Sequence, residues 1–497
     1  MLLTDIVPTL VGTGWAETCA IRALALDSRE VEPGSLWLAL HGRREHALDF
    51  LDEAQARGAI AALAEPGGAW DRARIARLRG KLPVISMPGL RQEAGEIAAR
   101  FFGQAAMAMR VVGVTGTNGK TSVTHFLAQA LSTRVSSAVL GTIGNGFPGR
   151  LEPATHTTPD AVQLHAMLAG LAARGARAAV MEVSSHALDQ KRVAGVPFHT
   201  AVFTNLSRDH QDYHGSMQAY AEAKARLFDG AGLALAVINV DDAYGSTLAA
   251  RVRPRVYTVA VGSAPSVTRQ GDRYLRIEGV VARADGLRIK FHSSWGEGEL
   301  RSRLLGRFNA QNLTLALAVL LAWDMPLSEA VAALEQVQPV DGRMLTFVTG
   351  GAPRVVVDYA HTPDALEQVL ASLREHVVGR LVCVFGCGGD RDRGKRPQMG
   401  EVARRLADRV VITDDNPRSE PPSQIVKEIL SGISDRIGVD VVHDRASAIE
   451  DSIVNAGPDD LVVIAGKGHE TYQEVAGERL PFSDAAEVRR VLQGLVP

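Results

Sequence analysis

The segment Val111-Val112-Gly113-Val114-Thr115-Gly116-Thr117-Asn118-Gly119-Lys120-Thr121 runs an apolar stretch into a glycine-rich turn, and a helical pattern follows over Ser122 to Leu131. Residues of these types in this order cradle phosphate. Glycines let backbone N–H groups close on phosphate oxygens and a helix N-terminus adds positive potential, while Lys120 reaches the β/γ-phosphates and the Thr121 hydroxyl holds Mg²⁺. The general spacing asks for glycine five residues before Gly119, where Val114 stands with Gly113 and Gly116 on either side. The loop is therefore a variant. The bland alternative, a glycine-rich turn with an incidental Lys-Thr pair, is outweighed by the strand before it and the helix after it.

Two other stretches, Met181-Glu182-Val183-Ser184-Ser185-His186 and Asn205-Leu206-Ser207-Arg208-Asp209-His210, fall where apolar runs end, the edge at which open α/β sheets bind ligands. Glu182 and His210 are candidate metal ligands there. Hard Mg²⁺ prefers oxygen, so a carboxylate, a hydroxyl and phosphate oxygens suffice, with a histidine as an unusual addition. His210 and His214 are spaced as zinc ligands are, but no thiolate or third histidine clusters with them, and zinc is the weaker reading.

Late in the chain, Gly386-Cys387-Gly388-Gly389-Asp390-Arg391-Asp392-Arg393-Gly394-Lys395-Arg396-Pro397, then Asp415-Asn416-Pro417-Arg418 and Gly466-Lys467-Gly468-His469-Glu470, each follow an apolar run. Any one of them alone reads as a solvated loop. Three from one sheet edge form a pocket in which Arg391 and Arg418 grip carboxylates and Glu470 meets an ammonium, which suits a zwitterionic substrate bearing carboxylates.

Positioning these loops requires buried strands. Val111 to Val114, Ala178 to Val183, Thr200 to Thr204 and Ala234 to Asn239 are continuously apolar or nearly so, as strands covered on both faces are. A second series, Arg354 to Tyr359, Leu381 to Phe385, Arg409 to Thr413 and Leu461 to Ala465, predicts a separate doubly wound domain. Thr258 to Trp295 alternates like antiparallel strands, Asn309 to Trp323 reads as a helix, and a hinge is expected near Pro339. In the first hundred residues, Leu36 to Leu40 and Ala59 to Ala64 read as strands and Asp49 to Gly58 as a helix, giving a smaller α/β unit.

A chain of 497 residues holds several domains at about 100–200 residues each. Its composition, 46% hydrophobic and 22% charged, is that of a soluble globular protein. With 54 basic and 56 acidic residues the net charge of −2 excludes a protein that lives on nucleic-acid phosphates, so any anion site must be local. Three cysteines, Cys19, Cys383 and Cys387, fit no disulfide framework and point to a reducing compartment, the cytoplasm. Neither a signal peptide nor a membrane-spanning run is expected.

Taken together, the motifs resemble the Mur ligase family, and within it the members that add diaminopimelate. The resemblance rests on GTNGKT from Gly116, His156-Thr157-Thr158, MEVSSHAL, TNLSRDHQDYHG, GRFNAQN from Gly306, DYAHTPDAL from Asp358, DNPR from Asp415 and GKGHE from Gly466, and it covers nearly the whole chain. It implies an α/β fold of three domains: an N-terminal UDP-binding domain over 1–106, a central P-loop ATPase domain over 107–338 and a doubly wound, Rossmann-like amino-acid domain over 339–497. The reaction implied is ATP-dependent. The D-glutamate carboxylate of UDP-N-acetylmuramoyl-L-alanyl-D-glutamate is phosphorylated, and the amine of meso-2,6-diaminopimelate attacks the acyl phosphate, a step of peptidoglycan precursor synthesis carried out by a monomer with Mg²⁺.

Residue by residue, the resemblance assigns ATP to Gly116, Thr117, Asn118, Gly119, Lys120, Thr121, Ser122, Asn309, Arg343 and Asp358. The UDP-linked acceptor falls to Leu26, Ser28, Arg43, Arg44, Glu45, Thr157, Thr158, Ser184, Gln190 and Arg192. Diaminopimelate falls to Arg391, Asp415, Asn416, Pro417, Arg418, Gly466 and Glu470. Catalysis is expected of Lys120, Glu182, His210 and Lys224, and metal binding of Thr121, Glu182, His210 and Lys224, the last as a carbamate (N6-carboxylysine). On its own pattern Lys224 reads as a helix-surface lysine. One departure stands out: many relatives carry a His-x-Ala-Asp-Gly-like segment near the uridine, where this chain has His41-Gly42-Arg43-Arg44-Glu45-His46-Ala47. Two alternatives remain open, a folylpolyglutamate synthetase-like ligase and, in a different class, a P-loop nucleotide switch.

Overall fold

A computed structural model describes residues 1–497 except 43, 44, 79, 81, 155, 253, 254, 266–271, 496 and 497. The chain divides into two compact units, the first made of Met1–Lys120, Leu127–Ala260 and Val267–Arg273, the second of Thr121–Phe126, Val261–Ser266 and Tyr274–Pro497.

The first unit opens with a small parallel sheet, β1 (Ala23–Ala25), β2 (Ser35–Ala39), β3 (Ala59–Ala64) and β4 (Val84–Ser86), in that spatial order. Every residue of β2 is buried, which accounts for the apolar run that follows Ser35. The helix expected over 49–58 lies two residues earlier, as a 3₁₀ turn at Ala47–Phe50 followed by the α-helix Leu51–Ala56. His46 causes this: its Nδ1 accepts from Leu48 N while the Asp49 carboxylate accepts from His46 N, so capping draws the start of the turn back to Ala47. Gly58, at φ +101°, ends it.

The larger sheet of this unit has the order β12 (Tyr257–Gly262), β11 (Leu235–Asn239), β10 (Phe198–Phe203), β5 (Arg110–Thr115), β9 (Ala178–Glu182), β6 (Ser137–Leu140), β7 (Asn145–Phe147), β8 (Arg150–Glu152). Its centre is parallel, and β7 and β8 add an antiparallel edge. Register decides where chemistry can occur. Val114 lies opposite both Glu182 and Val202, and Thr115 opposite Phe203. The three strands stop level, and the loops that follow them leave from one edge.

In the second unit, β13 (Arg273–Arg283), β14 (Gly286–Ser293) and β15 (Gly296–Ser302) are antiparallel. The expected alternation is present in β14, whose Leu287, Ile289 and Phe291 are buried. Helix Phe308–Ala322 is buried along almost its whole length. The last sheet runs β16 (Leu345–Phe347), β17 (Arg354–Asp358), β21 (Leu461–Ala465), β18 (Leu381–Phe385), β19 (Arg409–Ile412), β20 (Val439–Val441), parallel apart from β16. Apolar clusters cover both faces, with Val357, Val384 and Ile464 on one side and Val356, Phe385 and Val463 on the other, the arrangement of a doubly wound sheet. An antiparallel hairpin, β22 (Tyr472–Val475) and β23 (Glu478–Pro481), follows the last parallel strand. No helix among the described residues is long and apolar enough to cross a membrane.

Helix Lys120–Leu131 carries His125, a buried imidazole whose Nε2 has no hydrogen-bond partner among the described residues. Burial pulls its pKa from 6.5 down to about 4. The unfolded chain therefore takes up this proton first, and the contribution is whole above pH 6.5 and lost as pH falls to about 4. The expected loss is about 3 kcal/mol, read from urea unfolding across that range, and a His125→Gln variant should show a flatter profile.

Candidate functional site

The phosphate loop is built by side chains from the neighbouring strand end. Thr117 N donates to Asn205 O (2.8 Å), Asn118 N to Asn205 Oδ1 (3.0 Å) and the Thr204 hydroxyl to Asn118 O (2.5 Å). Thr117 Oγ1 lies 3.1 Å from the Tyr220 hydroxyl and accepts from Ser207 N. Gly116, at φ +148°, is required by space, because a Cβ there would fall 1.9 Å from Thr204 Oγ1. Lys120, the first residue of its helix, donates to Gly116 O (3.0 Å) and Thr117 O (2.8 Å).

Lys224, at the end of helix Met217–Ala225, also donates to Gly116 O, at 2.6 Å. It is not on the helix surface as its local pattern suggests; it is 1% exposed, above the Tyr220 ring. Burial, and next the charge of Lys120, hold its pKa well below the ordinary lysine value.

Glu182 ends β9 with its Oε1 accepting from Thr142 N (2.8 Å). The space it fills is open only because Gly141 lacks a side chain, since a Cβ there would lie 2.3 Å from Oε1. His210 adopts a left-handed backbone, φ +49°, with Nε2 3.4 Å from Asp209 Oδ2. Its ring meets His186 edge-on at 4.7 Å, and His186, Tyr213, His214 and Tyr220 form one aromatic cluster with it. Among the described residues no group of three His, Cys, Asp or Glu side chains is gathered to hold a metal unaided.

The positions expected to meet the acceptor's sugar and peptide are joined in one network. Thr142 Oγ1 donates to Thr157 Oγ1 (3.0 Å), Thr158 Oγ1 to Glu182 O (3.0 Å), and Thr158 Oγ1 lies 3.4 Å from Ser184 Oγ. Arg192 donates to Gln190 Oε1 and to Thr158 O, and Gln190 Nε2 donates to the Tyr213 hydroxyl. In the N-terminal sheet, Leu26, Ser28 and Glu45 line a cavity of about 500 Å³ with Trp37, His46 and Phe50. Arg43 and Arg44, expected at the same place, lie outside the described residues.

In the second unit Asp358 is buried at the end of β17 and accepts from Met344 N and Ala360 N. Burial raises its pKa, and Arg343 opposes the rise. The Arg343 guanidinium lies 5.1 Å from the Tyr359 ring, and its Nε has no hydrogen-bond partner among the described residues. Asn309 is buried, its amide donating to Leu305 O and accepting from Asn312.

The three late loops leave one edge of the six-stranded sheet, where Asp358 pairs in register with Ala465 and Phe385 with Ile412. Asn416 Nδ2 donates to Glu470 Oε2 (2.9 Å). Arg418 donates to Gly389 O (2.8 Å), and its Nε lies 3.3 Å from Glu474 Oε2. Gly388 separates Arg418 from Arg391, for a Cβ there would be 2.9 Å from Arg418 Nη1 and 3.6 Å from Arg391 Cγ. Asp415 is buried beside Gly466, and burial raises its pKa against the pull of Arg445 and Lys467. Pro417 lies between Asn416 and Arg418 in the same loop and is itself buried. Sequence reasoning gave no role to Tyr220, Asn205, Glu474 or Lys467. For Lys467 a signal existed, a lysine between two glycines directly after a buried strand.

A parallel sheet bearing a phosphate loop, in one chain with a doubly wound sheet whose loops gather carboxylates and cations, defines a P-loop α/β ligase. Residues 114–320 match the Mur ligase middle domain and residues 342–468 the Mur ligase glutamate ligase domain. A protein of Alkalilimnicola ehrlichii named UDP-N-acetylmuramoyl-L-alanyl-D-glutamate--2,6-diaminopimelate ligase is 49% identical, over 96% of each chain. A solved structure of a ligase with that name is 39% identical and covers 99% of each chain, with a TM-score of 0.73. The chain belongs to the Mur ligase family. A folylpolyglutamate synthase structure from Mycobacterium tuberculosis, 18% identical with a TM-score of 0.59 over 82% of this chain and 95% of its own, shares the fold alone.

Gly116→Ala is expected to displace Thr204 and Asn205 and open the phosphate loop. The ATP KM should rise by about tenfold or more with the fold retained, a change of at least ~1.4 kcal/mol in nucleotide contacts, measured by steady-state kinetics beside circular dichroism.

Proposed function

We propose that this ligase joins meso-2,6-diaminopimelate to the D-glutamate carboxylate of UDP-N-acetylmuramoyl-L-alanyl-D-glutamate at the expense of ATP. The observation that carries the reading is the loop set of Asn416, Arg418 and Glu470 on one sheet edge, in a chain half identical, end to end, to a ligase of that name. A carboxylate is a poor electrophile. Attack of its oxygen on the γ-phosphorus expels ADP and leaves an acyl phosphate; the amine then attacks the carbonyl carbon, loses a proton, and the tetrahedral intermediate expels phosphate.

In this reading Gly116, Thr117, Asn118, Gly119 and Ser122 present the loop to ATP, and Lys120 exchanges its two carbonyl partners for phosphate oxygens. Leu26, Ser28 and Glu45 hold the uridine end of the acceptor. Thr157, Thr158, Ser184, Gln190 and Arg192 orient its peptide end beside Glu182. Arg418 and Arg391 take the carboxylates of diaminopimelate, and Asn416, Asp415 and Glu470 its ammonium side. Thr121, Glu182 and His210 are the residues that would hold Mg²⁺, the hydroxyl and the carboxylate being the hard donors it prefers. Bound there, the ion offsets the charge that accumulates when two anions meet. Asn309, Arg343 and Asp358 serve the nucleotide, and the domains run 1–106, 107–338 and 339–497. The compartment is the cytoplasm.

Lys224 fits modification. Burial and then Lys120 hold the pKa of this amine well below the ordinary lysine value, which favours the neutral form, the one that adds CO₂ to give a carbamate anion and a proton. Isotopically labelled bicarbonate is expected to yield a carbamate signal that Lys224→Ala abolishes; a bare amine under CO₂ contradicts the assignment.

The ligase reading is tested by phosphate release, expected only when ATP, the UDP-linked dipeptide and diaminopimelate are all present. Hydrolysis indifferent to the last two indicates a nucleotide switch instead. Arg418→Ala should raise the diaminopimelate KM by about tenfold to hundredfold while ATP binding is unchanged, because its guanidinium is the partner of a carboxylate that lysine lacks.

A further inference from the structure

Lys467 is one of the few charged side chains with no exposure to solvent. Its ammonium donates to Asn416 Oδ1 (3.0 Å) and Glu470 Oε2 (3.0 Å) and lies 3.6 Å from Asp415 Oδ1. An ammonium has three N–H bonds, and here two are taken by side chains of the amino-acid loops while a third acceptor of those loops, Asp415, stands close by. The Asn416 oxygen also accepts from Glu474 N (2.9 Å). Two donors on one oxygen settle which way the amide faces, and its NH₂ must turn to Glu470 Oε2. That carboxylate oxygen is then occupied twice, whereas Glu470 Oε1 has no hydrogen-bond partner among the described residues and belongs to a side chain still 21% exposed.

Charge leads to the same place. Around Asp415 stand two cations, Lys467 and Arg445, and two further carboxylates, Glu470 and Asp484. Arg445 is committed to Asp484 by two hydrogen bonds, at 2.7 and 2.8 Å, with both side chains fully buried. Three carboxylates thus face two cations, and an incoming ammonium brings the count to three against three. Without Lys467 the ratio is three to one, and Glu470 loses both its charge partner and the amide orientation that holds it.

We propose that Lys467 is a positioning residue of the amino-acid site, one that fixes Asn416 and Glu470 so that Glu470 Oε1 is presented to the ammonium of the incoming amino acid. The inference rests on the functional reading above and adds a residue to it. Lys467 touches no substrate atom and acts through the two side chains it orients. The chain direction helps: Lys467 and Glu470 are three residues apart in one tight turn, closed by Glu470 N donating to Lys467 O (2.9 Å), so orienting one orients the other.

The test compares the full chain with Lys467→Met and Lys467→Gln, the second retaining a donor without the charge. Loss of a charge-assisted hydrogen bond should raise the diaminopimelate KM of the Met variant by about tenfold to hundredfold, and that of the Gln variant by less. The KM values for ATP and for the UDP-linked dipeptide should stay within about twofold, a split that a general weakening of the fold does not produce. A diaminopimelate KM unchanged in both folded variants overturns the proposal. So do three KM values rising together, or failure of both variants to fold, which make Lys467 a structural residue. If the wild-type chain shows no diaminopimelate-dependent turnover, the functional reading falls and this inference with it; normal wild-type turnover beside an unmoved variant KM removes this inference alone.

Discussion

A strand covered on both faces has no position along its length for a polar side chain that must meet a ligand. β5, β9, β18 and β21 are of this kind, buried without a break apart from Arg110 at the start of β5, so every group that does chemistry is displaced to the strand ends. The level register of β5, β9 and β10 then turns displacement into convergence: Thr115, Glu182 and Phe203 finish together, and three separate loops become one site. The same holds in the second unit for the ends of β17, β18, β19 and β21. The sites follow from burial and register before any particular side chain is considered.

Full burial of ions carries the heavier energetic demand. Lys224, Arg396, Arg445 and Lys467 are each at most 1% exposed, and an unpaired charge in such a place is very costly. Each has its answer. Arg396 is held by Glu420 and Glu428, Arg445 by Asp484 and the Ala465 carbonyl. Among the described residues Lys224 meets a carbonyl and an aromatic face, and of the four it is the one whose pKa falls well below its ordinary value. Of the four it is the ion least compensated by its surroundings.

Much of this was legible in the sequence because burial leaves a mark there. The strands with unbroken apolar runs were placed within a residue or two, Leu381–Phe385, Leu461–Ala465 and Ala59–Ala64 at their ends. Three-residue strands such as Ala23–Ala25 and Val84–Ser86 escaped, being too short to show a period. At the sites, glycines and the Lys-Thr pair announced the phosphate loop, but the side chains that shape it, Thr204, Asn205 and Tyr220, are distant in the chain and chemically ordinary. Lys224 shows the limit most clearly: its local pattern says surface, and only tertiary packing buries it.

The hairpin β22–β23 stands outside the parallel sheet, yet Arg418 is bridged to it. Arg418 N donates to Glu474 O, Ala476 N donates to Arg418 O, and the backbone of Arg418 sits at φ +54°. The guanidinium therefore takes its direction from the pairing register of a peripheral ribbon. A residue inserted at the ribbon's tip, or a slip of one position along it, re-aims Arg418 without altering any side chain in the pocket. On the role proposed for Arg418, preference among amino acids can drift by this route while the lining stays constant, so two chains with identical pockets need not choose the same substrate.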